Sequence, residues 1–256
     1  MRLTRLYRHP IKSLGSEALE QVTLTPGAAM PGDRMLAFAH GKSQFDPDKP
    51  TWVPRANFLN IANAPALAAV EIRYDEAAST VHLDHELTGP MTVPYGSETD
   101  SAATPDALSA WLSALAEKTL PGPYHLAIVP GVALADSPLQ AVSIMSERSL
   151  SALSAREGVP LDARRFRGNL WIDSDALEPF AELDWEGREL RIGGVRLRVV
   201  EPIERCLATA ANPDTGDRDA MPTQSLKRGF GHCLFGMLAK VVEGGVVSVG
   251  DPVELI

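Results

Sequence analysis

The chain has 256 residues, and its 33 acidic against 24 basic side chains leave a net charge of -9 at neutral pH. That length buries a substantial core without covalent staples, while the charge repels nucleic acid and anionic lipid, so no nucleic acid and no membrane is expected as a partner. No window approaches the roughly 18 uninterrupted apolar residues of a membrane span, and the basic start MRLTRLYRHPIKSLG lacks a signal peptide's hydrophobic run, which leads to a cytoplasmic expectation.

In chain order, alternating apolar residues predict short strands at 2–7, 19–24 and 36–39. The polar, Pro-rich FDPDKPTWVP, residues 45–54, is expected as an exposed loop. Further strands are predicted at 68–74 and 80–83. His82 and His85 stand three apart with no carboxylate or cysteine at ligand spacing, so they are expected as solvated surface residues and not as a zinc site. TPDALSAWLSALAEKTLPG predicts a helix with Thr104 as N-cap and Pro105 at the first helical position. Leu108, Trp111, Leu112 and Leu115 share its apolar face, and Pro121 and Gly122 stop it. The seam of Pro121, Gly122 and Pro123 divides the chain into an N-terminal domain, 1–121, and a second domain, 122–256.

A strand at 126–129 opens the second part. SERSLSALSAREG predicts a second helix, capped by Ser146 and closed by Gly158, and a strand follows at 169–173. The strongest strand signal is ELRIGGVRLRVV: Leu190 and Ile192 alternate with charged residues, Gly193 and Gly194 turn the chain, and Val195, Leu197 and Val199 resume the period. The C-terminal AKVVEGGVVSVGDPVELI repeats that hairpin design, with Gly244 and Gly245 at one turn and Gly250 with Asp251 at the next. Many short strands with glycine turns and few helices read as mainly β (α+β), with barrel-like sheets.

The stretch ERCLATAANPDTGDRD, residues 204–219, sets Cys206 between Arg205 and Leu207, just ahead of a turn made by Asn212, Pro213, Asp214, Thr215 and Gly216. A neighbouring cation favours the reactive thiolate, so Cys206 is a candidate nucleophile, persulfide carrier or soft-metal ligand; the plainer alternative is a small buried hydrophobe. Cys233, between His232 and Leu234, reads as packing, and both cysteines read as thiols. Phosphate loops fail: GFGHCLFG has Leu234 where the dinucleotide fingerprint needs its third glycine, and Leu36 stands where a Walker loop ending in Gly41, Lys42 and Ser43 needs its first. Asp214, Asp217 and Asp219 miss the register of a calcium loop.

Taken with SLKRGFGHCLFG and VVEGGVVSVGDPVELI, that stretch resembles the C-terminal signature of the MOSC family, the molybdenum cofactor sulfurase C-terminal domain proteins. RFRGNLWID, residues 165–173, resembles the family's R-F-R-x-N strand, and HPIKSLGSEALEQVTLTPGAAMPGDRMLAF resembles its associated N-terminal β-barrel domain. The resemblance implies a molybdenum cofactor, Mo-molybdopterin, whose metal is bound by Cys206 with Thr209 nearby. It also implies cofactor contacts from Lys12, Ser13, Arg34, Ser143, Ser146, Arg167, Asn169 and Arg205, although Ser146 is equally explained as a helix cap. The activity implied is reduction of an N-hydroxylated or N-oxygenated small molecule by oxygen-atom transfer. Neither a fused iron-sulfur domain nor a fused pyridoxal-phosphate domain is read in the sequence, so electrons are expected from a separate donor protein. The alternative is a sulfur (persulfide) carrier, or a molybdenum cofactor-handling protein, using Cys206. The chain departs from the family pattern at Ala211 and Asn212, where Val-Asp is usual, at Ala210 for a second threonine, and at Cys233 for an asparagine.

Overall fold

The computed structural model describes residues 1–95, 105–116 and 120–256. In chain order the strands are β1 (Arg2–Arg8), β2 (Glu17–Leu19), β3 (Gln21–Leu24), β4 (Leu36–Ala39), β5 (Glu71–Asp75), β6 (Thr80–Asp84), β7 (Met91–Pro94) and β8 (His125–Ile128). They continue as β9 (Val142–Ser146), β10 (Leu170–Asp173), β11 (Glu189–Ile192), β12 (Val195–Glu204), β13 (Leu234–Glu243), β14 (Gly245–Ser248) and β15 (Val253–Leu255). The helices among the described residues are α1 (Pro105–Leu115), α2 (Glu147–Glu157) and α3 (Pro222–Phe230). The class is mainly β with a few helices, as expected.

Eight strands form one mixed sheet in the order β15, β11, β12, β13, β9, β10, β1, β2, in which β9 and β10 run parallel and their neighbours antiparallel. Its inner face is a dry core of Leu3, Val142, Ile144, Leu190, Leu197, Val199, Met237 and Ala239. Burying these side chains stabilises the fold by about 1.5–3 kcal/mol for each large aliphatic group. The sheet curls around this core until its ends approach: Leu3 N–H donates to Asp251 O at 2.9 Å, Gly250 N–H to Leu3 O at 2.8 Å, and Arg2 bridges Pro252. Closure is thus made by a bridge and loop bonds rather than by a continuous ladder.

Strand pairing crosses the seam at Pro121 three times. β1 lies beside β10, β3 pairs with β14, and β4 pairs with β8. Gly216 adds a fourth tie, because its backbone, at φ +76°, lies so close to Ala66 that an added Cβ would sit 2.6 Å from the Ala66 Cα.

Several sequence expectations need correction. The strand expected at 19–24 is two strands, since the chain leaves β1 at Leu19 and joins β14 from Gln21 onward. The C-terminal hairpin does not form: β14 turns away from β13 to pair with β3, and β15 pairs with β11. β9 carries no alternation because all five of its residues are buried, so a two-periodic pattern could not reveal it. α3 was also not anticipated, although Pro222 in its first turn and Gly231 in the left-handed conformation at its end are ordinary start and stop signals. His85 is buried and not solvated, its Nδ1 accepting from Leu87 N–H at 3.2 Å. Residues 45–54 form no helix or strand, as expected, but Trp52 pins them by donating to Ala135 O at 3.0 Å. Thr104, expected as the α1 N-cap, lies outside the described residues.

Candidate functional site

Where β12 ends, the chain passes through Cys206 into a short 3-10 turn, Leu207–Ala210. Thr209 closes that turn on the cysteine: its backbone N–H reaches Cys206 O at 3.2 Å and its hydroxyl donates to the same oxygen at 3.1 Å. The half-buried sulfur is thereby presented to a cavity of about 300 Å³. Lys12, Ser13, Arg34, Ser143, Arg167, Asn169, Arg205 and Thr209 line the same cavity, so nine of the sequence-derived candidates, counting Cys206, converge on it. Ser146 does not. It is fully buried and caps α2, accepting from Ser149 N–H at 3.3 Å.

The local backbone is strained where the cationic candidates sit. Ser13, Arg34 and Arg167 all have positive φ, at 68°, 49° and 51°. Side chains adopt this region at a cost of order 1–3 kcal/mol, and sites are where such strain is retained. Arg167 is the tie that holds it: Nη1 donates to Leu14 O at 3.0 Å and Gly15 O at 2.9 Å, and Nη2 reaches Ile11 O at 3.4 Å. One guanidinium fork thus shapes the turn that carries Lys12 and Ser13. Arg34 answers by donating to Arg167 O at 2.8 Å while pairing with Asp33. Asp33 in turn accepts from His9 N–H at 2.7 Å. Lys12 Nζ donates to Leu134 O at 2.9 Å and pairs with Asp136.

Arg205 is held from four directions. Its donors reach Phe235 O at 2.9 and 2.6 Å, Phe166 O at 2.7 Å and Met145 Sδ at 3.2 Å, and the guanidinium carbon lies 5.8 Å from the centres of both phenyl rings. Met145 reaches it through a slot between two glycines, since a Cβ on Gly168 would fall 2.2 Å from Met145 Cγ and one on Gly236 would fall 2.3 Å from its sulfur.

The electrostatics follow from these partners. Burial pushes the Arg167 guanidinium down to about 9, with Arg34 adding to the effect. Burial does the same to Arg205, to about 9, opposed by the Cys206 sulfur. Neither arginine has an ion pair among the described residues, so each is an enclosed cation whose direct hydrogen-bond acceptors are neutral, with Asp33 and Asp136 acting on Arg167, and Asp136 and Cys206 on Arg205, only from farther off. Such charge is costly until an anion offsets it. Lys12 is likewise lowered by burial, although Asp136 works against that.

Ser143 and Asn169 serve each other more than a ligand. The Ser143 hydroxyl donates to Asn169 Oδ1 at 2.9 Å and accepts from Asn169 N–H at 2.9 Å, tying β9 to the start of β10. Cys233 lies outside the cavity, its thiol 3.8 Å from Thr223 O, in keeping with a packing role. Sequence reasoning missed Met145, Asp33, Asp136 and Glu201, which also line the cavity. Asp33 stands beside a candidate arginine, so proximity was a usable signal there. For the others the partner is remote in sequence, and only folding reveals it.

The chain belongs to the MOSC family: the MOSC domain matches residues 132–254, and the MOSC N-terminal beta barrel domain matches residues 1–119. Among curated proteins it is similar to mitochondrial amidoxime-reducing component 1 of Xenopus laevis, at 34% identity over 124 residues, 44% of this chain and 35% of that protein. Its likeness to the Homo sapiens protein of the same name is 32% over 125 residues, 44% of this chain and 36% of that one. A shorter match, 37% over 67 residues, joins 26% of this chain to 8% of the molybdenum cofactor sulfurase of Anopheles gambiae. The match spans about a third of the length of the amidoxime-reducing relatives.

Proposed function

We infer that the chain is a molybdenum cofactor-dependent oxidoreductase that reduces N-hydroxylated or otherwise N-oxygenated small molecules, with electrons from a separate donor protein. The observation that carries this reading is the meeting, in one cavity, of a single thiol with two enclosed arginines that lack an ion partner. Family membership and the amidoxime-reducing relatives support the same reading.

The residues fit the group. Among the described residues no cluster of three or more His, Cys, Asp or Glu side chains could hold a bare metal ion. That suits a metal arriving with pterin sulfurs of its own, for which one soft protein ligand suffices. Cys206 would be that ligand. Arg167, Arg34, Lys12 and Ser13 would answer the terminal phosphate, since guanidinium forks and ammonium groups match phosphate oxygens and cavity burial strengthens each bond. When bound, the group supplies the two-electron redox chemistry that removes oxygen from the substrate. The rest is done by the chain. Arg205 keeps a cation beside the sulfur and offsets its charge as a thiolate ligand. Thr209 fixes the turn that aims the sulfur, and Ala135, Leu139, Ala141 and Leu238 give the cavity an aliphatic wall.

Protein made in a host that synthesises the cofactor is expected to contain stoichiometric molybdenum. Cys206→Ser is expected to lose both the metal and benzamidoxime reduction, while retention of both would refute the reading. Metal-free protein whose Cys206 has gained the mass of one sulfur would identify a persulfide carrier instead.

A further inference from the structure

Two carboxylates of the cavity have no ion pair among the described residues: Glu204, which is exposed, and Glu201, which is half-buried. Asp33 is paired with Arg34, and Asp136 with Lys12 and Arg55. Among the described residues the Glu201 side chain accepts one hydrogen bond, from the Ser137 hydroxyl to Oε1 at 3.5 Å. A half-enclosed carboxylate with one long hydrogen bond has unused acceptor capacity.

Its placement is specified by the sheet. Along β12 the inward positions are Val195, Leu197 and Val199, all buried in the core. An unbroken period of two would carry residue 201 into that same apolar core. The ladder shifts between Val199 and Glu201: Val199 faces Ala239 on β13, but Glu201 faces Leu238. Ala239 belongs to the core and Leu238 to the cavity wall. The irregularity therefore flips the phase of the strand and turns the carboxylate out of the core into the cavity. Bulges that re-aim a side chain are over-represented next to active sites. Leu238, opposite Glu201 in the ladder, is one of the aliphatic residues lining the cavity, with Ala135, Leu139 and Ala141.

We propose that Glu201 is a specificity-determining residue that selects substrates with a cationic, N–H-bearing head, of the amidinium or guanidinium class, on an apolar body. The proposal rests on the reading of the cavity as a substrate site. The arginines occupy the opposite chemical role: each is anchored to backbone oxygens, and an anionic cofactor would offset their charge. Of the two unpaired carboxylates, Glu201 is the more enclosed and so the one placed to meet the substrate. An amidinium presents two parallel N–H donors to a carboxylate, and its flat apolar body matches the aliphatic wall.

The test is binding, measured by calorimetry on the full chain purified from a cofactor-synthesising host. Benzamidinium is compared with benzamide, its neutral counterpart of nearly the same shape. The wild type is expected to bind benzamidinium at least about tenfold more tightly, the order of one charge-assisted contact in a partly screened site. Glu201→Gln, which keeps the shape and removes the charge, is expected to bring the two ligands within about threefold of each other. Glu178→Gln, an exposed acid outside the cavity, is expected to keep the wild-type preference and so controls for net charge. Equal binding of both ligands by the wild type, no binding of either, or an undiminished preference in Glu201→Gln overturns the proposal. Molybdenum content of the same preparation separates the two readings. A charge preference in metal-free protein upholds Glu201 and sinks the redox function, and loaded protein without a preference does the reverse.

Discussion

His9 and Asp33 show how far a buried pair can be driven from ordinary behaviour. Burial pushes the His9 imidazole down to about 3, and Arg167 adds to it. Burial works against the charge on Asp33, but Arg34 and the His9 donors outweigh that and hold its carboxyl well below the usual range. Both folded-state values lie below those of the unfolded chain, so the unfolded chain takes up more protons as pH falls. The stability these groups contribute is complete above about pH 6.5. It is lost through His9 as pH falls from there toward 3, and through Asp33 below about pH 4, at up to about 1.4 kcal/mol per pH unit for each group. The urea midpoint is expected to fall steadily from about pH 6.5 to 4, and His9→Gln, which takes up no proton there, to flatten that slope; a wild-type profile already flat in this window would contradict the assignment. At this scale the sequence was most informative about residue types. Cys206, Arg34 and Arg167 were legible because a thiol and cations stood at motif spacing. The mutual bonding of Ser143 with Asn169, 26 positions apart, was not legible, because side-chain partners at that separation are chosen by the fold.

Elements were legible where their pattern was local. The β11–β12 hairpin followed from alternation and two glycines, and α2 from its caps, Ser146 and Gly158. β9 was hidden by burial on both faces, and β14 by a partner far earlier in the chain. The slot around Met145 belongs to this scale, since it sets how closely β9, β13 and the start of β10 approach. Gly236 has φ +76°, and an added Cβ would meet not only the Met145 sulfur but Ile144 O at 2.7 Å, whereas Gly168 would meet only the flexible Met145 side chain. Gly236→Ala is therefore expected to cost about 2–4 kcal/mol and Gly168→Ala about 1–2 kcal/mol. Adding Met145→Ala should relieve the Gly168 variant and not the Gly236 variant, because a backbone oxygen cannot retreat. Chemical denaturation of the wild type, the three single variants and the two double variants gives the comparison, and equal relief in both would show that Ile144 O is not what constrains Gly236.

For the whole molecule, the pairing across Pro121 decides what can fold. β1 is an interior strand of the large sheet, with β10 on one side and β2 on the other. Removing residues 1–121 would leave the backbone edge of β10 unpaired and open the core beside Leu3 and Leu6. Expressed alone, residues 122–256 are expected to lack a cooperative unfolding transition, and co-expression with residues 1–121 to restore it; a cooperative melt of the lone fragment would overturn this.

The same pairing sets an order of events during synthesis. Lys12 and Ser13 leave the ribosome long before Arg167 and Cys206 exist, and β13, which closes the wall behind them, is made later still. The vestibule cannot be assembled piecemeal alongside translation, since its walls are drawn from segments as far apart in sequence as Lys12 and Leu238. Whatever it holds must be delivered after β13 has been made and has folded onto the earlier strands.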